Sequence, residues 1–200
     1  MSPAPVRRRP SRAELAGFAG ATVPDLLPPA GTTLRLLFVG INPGLWTAAT
    51  GAHFARPGNR FYPALHAAGL VERVIDASAG LSDADRSILL DAGIGITNLV
   101  SRATATAAEL ARQELRDGAG RLTALVAQRA PSVVAVVGVT AYRTAFGEPR
   151  AQLGEQPHPL AGSRLFVLPN PSGLNAHYQV DDLATWFAQA GAAAGLPKVN

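Results

Sequence analysis

Four short runs of apolar residues, each bounded by glycine, proline or polar residues, stand out along this chain. They are LRLLFVG (34–40), GIGITNLV (93–100), SVVAVVG (132–138) and SRLFVLP (163–169). Continuous apolar runs of this length are typical of strands that are buried on both faces of a parallel sheet. The pattern therefore predicts four buried strands.

Helical patterns lie between and after these runs. Their apolar positions are Phe61, Leu65 and Ala68, then Leu122, Leu125 and Val126, then Val180, Leu183, Phe187 and Ala190. Pro63 indicates that the first helix begins near that residue, and the second helix is expected after Asp117. Strands that alternate with helices imply crossovers, so the predicted fold class is α/β, a three-layer α/β/α sandwich around a mostly parallel sheet.

The first 30 residues differ from the rest of the chain. They carry six of the 16 prolines and a basic stretch, with one short helical turn expected around residues 14–18. We interpret residues 1–30 as a basic, proline-rich, flexible arm and residues 31–200 as a single domain.

Composition and charge narrow the class of protein. The chain has no cysteine, no apolar stretch of membrane-spanning length and no His or carboxylate pair with metal-ligand spacing. Arg7, Arg8, Arg9 and Arg12 account for the formal net charge of +4, because the other basic residues equal the 14 acidic ones in number. Those arginines either hold phosphates or form a solvated, disordered arm, and both interpretations stay open here.

Two strand ends carry unusual polar turns. GINPG follows the first apolar run and PNPSGLN follows the last. Glycine, asparagine and proline form turns for purely structural reasons, so either turn alone indicates little. Ligands bind at the carboxyl ends of the strands in such sheets, and two polar turns at strand ends favour a site.

These motifs resemble one known family. GINPGL (40–45), Phe54, GNRF (58–61), GITNLV (95–100) and LPNPSGL (168–174) together resemble the mismatch-specific uracil/thymine-DNA glycosylases of the uracil-DNA glycosylase superfamily, over residues 34–190. The resemblance implies the uracil-DNA glycosylase-like fold and a monofunctional enzyme. That enzyme flips uracil, and other altered pyrimidines, out of DNA at G·U mismatches, hydrolyses the N-glycosidic bond and leaves an abasic site.

The same resemblance implies the setting of the enzyme. No metal or cofactor is needed, because a positioned water and donors to the departing base are enough. The partner is double-stranded DNA with a lesion or mismatch, with no membrane involved. We expect a monomer in the bacterial cytoplasm, associated with the nucleoid.

The resemblance implies roles for residues of the first turn and of the segments around it. Asn42 would position the water, Phe54 would stack on the flipped base and Asn98 would read its edge. Main-chain groups of Ile41 and Gly44 and the side chain of Thr47 complete the base-binding set, and Thr47 with His53 favours uracil over thymine. Structural interpretations stay open: Asn42 as a turn cap, Phe54 as core, Asn98 as a loop cap.

Further residues follow for the second turn and its surroundings. Gly173 and Leu174 resemble the wedge that fills the hole left by the flipped base, although Leu174 would otherwise pack in the core. The residues expected to contact the DNA backbone or the opposite base are Asn170, Ser172, Asn175, Arg56 and Arg60. Ala176 stands where some bacterial members carry arginine. For Arg56 and Arg60 a structural interpretation also stays open, because arginines on such loops are solvated charges by default.

Two other functions remain open from the sequence. One is a non-catalytic protein that binds damaged or abasic DNA through the same pocket. The other is an enzyme that acts on a free nucleoside or nucleotide. The Gly173–Leu174 wedge argues against the latter, because a small substrate leaves no hole to fill.

Overall fold

A five-stranded sheet forms the centre of the protein, whose structure, a computed structural model, describes residues 8–199. Its strands are β1 (Leu36–Gly40), β2 (Ile94–Asn98), β3 (Val133–Val137), β4 (Gly154–Glu155) and β5 (Arg164–Leu168). The four apolar runs form β1, β2, β3 and β5, which confirms the four predicted strands. The two-residue β4 has no comparable apolar run.

Seven α-helices are described. They are α1 (Arg12–Leu15), α2 (Leu45–Thr50), α3 (Phe61–Ala67), α4 (Asp83–Asp91), α5 (Arg112–Arg129), α6 (Val139–Phe146) and α7 (Val180–Ala193). Pro63 lies in the first turn of α3, where a missing N–H is harmless. The start of α5 was predicted too late, because Glu114 accepts the Ala111 N–H at 2.9 Å and begins the helix before Asp117.

The strand order is β2-β1-β3-β5-β4. β1 pairs in parallel with β2 and β3, β3 pairs in parallel with β5, and only β4 is antiparallel, to β5. The carboxyl ends of four strands therefore lie at one edge of the sheet, which we call the carboxyl edge. The loops that leave this edge carry both polar turns of the sequence.

Alternate side chains of β1 enter two separate cores. Leu36 and Phe38 pack on one face with residues of α3, α4 and α7, whereas Leu37 and Val39 pack on the other with residues of α5 and α6. Phe38 contacts Phe61 edge-to-face, with ring centroids 5.1 Å apart. Helices thus cover both faces of the sheet, which confirms the α/β/α sandwich.

Part of the segment interpreted as an arm contacts the domain. Leu26 and Ile96 exchange backbone hydrogen bonds of 2.9 and 2.7 Å at the outer side of β2. Arg9 donates to the hydroxyl of Ser78 at 2.8 Å. Arg7, part of the basic stretch, lies outside the described residues, and the division into arm and domain stays a prediction.

Candidate functional site

One pocket opens at the carboxyl edge, where loops that follow several strands converge. Nine residues predicted from sequence line it: Ile41, Asn42, Gly44, Thr47, Phe54, Arg56, Asn98, Asn170 and Ser172. Its volume of about 160 Å³ corresponds to roughly five water molecules at ~30 Å³ each. That volume suits one small ring and is below the range of drug-sized pockets.

The two polar turns and the loop 54–60 meet at this pocket. The backbone N–H of Arg60 donates to the Pro171 carbonyl at 2.9 Å. A Cβ atom on Gly173 would lie 2.4 Å from the Gly58 carbonyl oxygen, so only glycine allows this backbone approach. Gly173, Leu174, Asn175 and Arg60 are not pocket-lining residues, although the same turn and loop carry them.

The amide of Asn42 has a defined orientation. Its Nδ2 donates to Thr104 Oγ1 at 2.7 Å and to the carbonyls of Pro43 and Arg102, both at 3.1 Å. All three neighbours of the nitrogen are acceptors, because the Thr104 hydroxyl proton is used to donate to Thr106 at 2.8 Å. No described residue donates to Asn42 Oδ1, so this oxygen is the acceptor that remains for a ligand or water.

The loop that follows β2, which contains Arg102 and Thr104, is anchored to α5. The Arg102 guanidinium donates twice to Glu114 in the first turn of α5, and these bonds lower the pKa of Glu114 to about 2. Thr104 is buried, with 2 % of its surface exposed. This loop therefore presents fixed acceptors to the Asn42 amide.

Phe54 lies in the pocket wall with an uncommon backbone conformation. Its φ of 56° falls in the left-handed region that favours glycine. Its ring stacks on Phe61, with centroids 4.1 Å apart and planes at 19°. The Tyr62 hydroxyl donates to the neighbouring His53 carbonyl at 2.9 Å and helps to hold this backbone. One face of the Phe54 ring is thus covered, which leaves the other for a planar ligand.

A buried histidine fixes the amide of Asn98. His53, with 3 % of its surface exposed, places Nε2 3.0 Å from the Pro24 carbonyl, so Nε2 carries the proton. Its Nδ1 then accepts from Asn98 Nδ2 at 3.2 Å. Burial lowers the pKa of His53 despite the opposing Pro24 hydrogen bond and Asp25 charge, so the ring is neutral. Asn98 keeps Oδ1 and one N–H for other partners.

Gly40, at the end of β1, makes room for this arrangement. A Cβ atom there would lie 2.3 Å from Asn98 Oδ1. Gly40 therefore contributes to the site, because the absence of a side chain lets the Asn98 amide approach the backbone of β1.

Three further predicted residues lie around the first turn. Thr47 is buried in α2 and lines the pocket. The carbonyl of Ile41 accepts the Val100 N–H at 2.9 Å, and the carbonyl of Gly44 accepts the Ala48 N–H at 3.0 Å. Their carbonyls are thus used within the protein.

Most polar groups of the second turn bond to each other. Asn170 Oδ1 accepts the Ser172 N–H at 3.0 Å, and Asn175 Nδ2 donates to the Asn170 carbonyl at 2.9 Å. Asn175 Oδ1 also accepts the His177 N–H at 3.1 Å. Leu174 is 75 % exposed at the tip of this hydrogen-bonded turn, so it does not pack in the core.

The two predicted arginines differ in their surroundings. Arg60 donates to the carbonyls of Ser172 at 3.2 Å and Asn175 at 2.8 Å, so it ties the second turn to α3. Arg56 is exposed at the pocket, and it forms no ion pair with any described residue.

Sequence reasoning missed Thr104, and it named His53 only as favouring uracil together with Thr47, without its contacts to Pro24 and Asn98. Thr104 comes from a stretch of small residues with no distinctive pattern, and it bonds Asn42 across 62 positions. The His53–Pro24 contact joins residues 29 positions apart. The only signal for His53 was a polar residue directly before Phe54.

The charged groups in the pocket limit its chemistry. Its described lining includes no Asp or Glu, and His53 is neutral, which leaves amides, hydroxyls, main-chain groups and the Arg56 guanidinium as the polar groups. Within residues 8–199, no three His, Asp or Glu side chains are grouped as metal ligands. No described helix is long and apolar enough to cross a membrane.

Fold and site together define an α/β protein that can take a small planar ring at its carboxyl edge. A model of the Uracil DNA glycosylase superfamily matches residues 28–190, and the chain belongs to this superfamily. The match is to the superfamily as a whole and does not single out the mismatch-specific branch. Membership supports DNA glycosylase activity, with uracil-containing DNA as the partner.

A solved structure agrees on the fold. The solution NMR structure of a protein from Methanosarcina acetivorans, titled a "putative Uracil DNA glycosylase", superimposes with a TM-score of 0.57 at 17 % identity. The match covers 86 % of this chain and 96 % of the other. At this identity the likeness concerns the fold alone.

Proposed function

We propose that this protein is a monofunctional DNA glycosylase of the mismatch-specific type. It hydrolyses the N-glycosidic bond of uracil in DNA, chiefly at G·U mismatches, accepts some other altered pyrimidines, and leaves an abasic site. The observation that carries the proposal is the Asn42 amide, whose nitrogen is bound to three acceptors while its oxygen remains free beside a pocket of one-ring size.

The reaction in this proposal depends on position more than on proton transfer. The nucleotide turns out of the duplex, and the bond between C1′ and N1 breaks with its electron pair going to N1 of the uracil. Water adds to C1′, and its proton passes to solvent or to the departing base. Asn42 Oδ1 accepts a hydrogen bond from that water, but an amide is too weak a base to remove the proton early. A slow, dissociative reaction follows.

The base is held by stacking and by an amide. Phe54 offers its uncovered face, and stacking on an aromatic ring is worth roughly 1–3 kcal/mol per base. Asn98 donates its remaining N–H to uracil O4 and accepts N3–H on Oδ1. Main-chain N–H groups of Ile41 and Gly44 donate hydrogen bonds to the negative charge that develops on the departing base. Buried Thr47 limits the space for a methyl group at C5.

The second turn acts on the duplex. Exposed Leu174 enters the stack where the flipped base was and offsets part of the unstacking cost. Ser172, Asn170 and Arg56 hold phosphates near the flipped nucleotide. With Ala176 too short to reach a base and the Asn175 amide used within its turn, main-chain groups of this turn are left to contact the opposite guanine.

A direct assay tests the function. Purified protein in EDTA, with a duplex that contains one G·U pair, should yield alkali-sensitive strands, and excess duplex should show repeated turnover. No release at stoichiometric enzyme and long times would instead favour a protein that only binds abasic or damaged DNA. Release of a single equivalent without turnover would still indicate a glycosylase, one that its abasic product inhibits.

Leu174→Ala should slow uracil release from duplex DNA by about 10- to 100-fold, or about 1.4–2.7 kcal/mol, because nothing then fills the stack. Release from a single-stranded uracil oligonucleotide should change little. Val199→Ala is the matched control, an exposed apolar residue bonded to Gly69 beyond the other end of α3. Equal slowing on duplex and on free deoxyuridine would argue for a nucleoside enzyme.

A further inference from the structure

A second depression is lined by residues of α5 and α6, the helices that cover the face of the sheet opposite to α3, α4 and α7. Its volume is about 390 Å³, and its lining includes three arginines and two threonines, Arg112 and Arg116 of α5 with Thr140, Arg143 and Thr144 of α6. The described lining residues include no carboxylate. We call this depression the arginine groove.

The arginines of the groove form no ion pair with any residue that the structure describes. Arg112 and Arg116 lie four positions apart on one face of α5, where like charges repel. Neither forms an ion pair with a described residue, whereas nearby Arg102 pairs with Glu114. Arg143 donates through Nε and Nη2 to the Ala151 carbonyl, at 2.9 and 2.6 Å, and keeps Nη1 for the groove. Such a cluster suits an anionic partner with several charges.

The groove is close to the pocket. Val137 lines the pocket and Thr140 lines the groove, three residues later, so their Cα atoms are at most about 11 Å apart. Ala107 of the pocket and Arg112 of the groove are five residues apart, which limits that separation to about 18 Å. B-DNA carries one phosphate charge per ~1.7 Å of axis, so a duplex with one base in the pocket has phosphates within this reach.

We propose that the arginine groove binds backbone phosphates of the DNA on one side of the flipped nucleotide. This inference rests on the proposed function and extends its DNA contact to α5 and α6. Guanidinium and threonine hydroxyl groups donate to phosphate oxygens regardless of sequence. The groove thus contributes to affinity and to its salt dependence and does not read bases.

The test measures how affinity depends on salt. The probe is a fluorescein-labelled duplex with a tetrahydrofuran abasic analogue opposite guanine, titrated between 50 and 200 mM KCl. Arg112→Gln/Arg116→Gln should reduce the slope of log K against log[salt] by one to two units, because each lost phosphate contact removes about 0.9. Glutamine keeps the helix propensity of arginine.

A matched control removes the same charge elsewhere. Arg35 and Arg129 each donate to one main-chain carbonyl, and they lie before β1 and at the end of α5, away from the carboxyl edge. Arg35→Gln/Arg129→Gln should keep the wild-type slope. An equal slope change in both double variants, or none in Arg112→Gln/Arg116→Gln with a normal melting temperature, would overturn the proposal.

Duplex length gives an independent readout. Shortening the DNA on one side of the abasic analogue should abolish the difference between wild type and Arg112→Gln/Arg116→Gln, and shortening the other side should preserve it. A difference that persists through both truncations would overturn the one-sided groove contact. A wild-type protein that binds this duplex but releases no uracil would remove the proposed function and leave the groove result standing.

Discussion

Asn42→Ala should lower the rate of uracil release by two to three powers of ten, about 3–4 kcal/mol, while the affinity for abasic duplex stays within a few-fold. The variant loses the acceptor that orients the water but keeps the pocket walls and the wedge. Single-turnover release at saturating enzyme measures the rate, and fluorescence anisotropy measures binding. A rate within five-fold of wild type would remove Asn42 from the chemistry.

Two variants separate orientation from mere presence of the amide. Thr104→Val keeps the shape of the side chain but removes the nearest acceptor of Asn42 Nδ2, so an intermediate loss of rate is expected. Asn42→Asp would place a carboxylate oxygen near the carbonyls of Pro43 and Arg102. That repulsion should raise the pKa of the new carboxyl and destabilise the fold at neutral pH, so a stronger base need not give a faster enzyme.

His53→Gln should lower uracil release by about 10- to 100-fold and weaken discrimination against cytosine. Glutamine can still donate to the Pro24 carbonyl, but it offers no acceptor at the position of Nδ1. Asn98 can then turn over, and its oxygen would face uracil O4. Rates on G·U and G·C duplexes measure both effects.

His53→Asn provides the matched control for this substitution. Asparagine places an acceptor near the position of Nδ1 and loses the Pro24 contact, so discrimination should persist even if stability falls. If both variants discriminate like wild type, the histidine does not position Asn98.

The neutral state of His53 also gives a stability effect with a definite sign. Burial holds its folded pKa below the usual 6.5, so the unfolded chain binds more protons as pH falls below that value. This contribution to stability is complete above pH 6.5 and declines toward the lower folded pKa. Melting temperatures measured across a pH series through 6.5 should therefore fall at acid pH for the wild type, and they should change less with pH for His53→Asn. Burial is the main cause of the lowered pKa, the Pro24 hydrogen bond and the Asp25 charge oppose it, and the Arg86 charge adds to it.

The sheet and much of the pocket were predictable because they depend on local patterns. A continuous apolar run can only be buried on both faces, and parallel strands bring their carboxyl ends together. These two facts place the turns that carry Asn42 and Asn170 at one edge, whereas Asn98 is predicted only through the family resemblance. The helix boundary at Arg112 was missed because its signal is a capping contact of Glu114, which hydrophobic periodicity does not report.

Contacts between distant segments could not be predicted. Nothing local tells whether Arg60 points to solvent or to the carbonyls of the second turn, and only the meeting of two loops decides it. Likewise, nothing local shows that position 173 requires glycine, because the requirement comes from the close approach of the Gly58 backbone. The roles of the site residues follow from the family resemblance and stay predictions until the variants are measured.

The backbone pairing of Leu26 with Ile96 has a consequence for shortened versions of the protein. Removal of everything before residue 31 would leave β2 with unpaired main-chain groups along an apolar strand, which invites edge-to-edge self-association. It would also take away Pro24, the acceptor that sets the tautomer of His53. A trimmed protein that aggregates or loses base selectivity would therefore reveal what this segment shields.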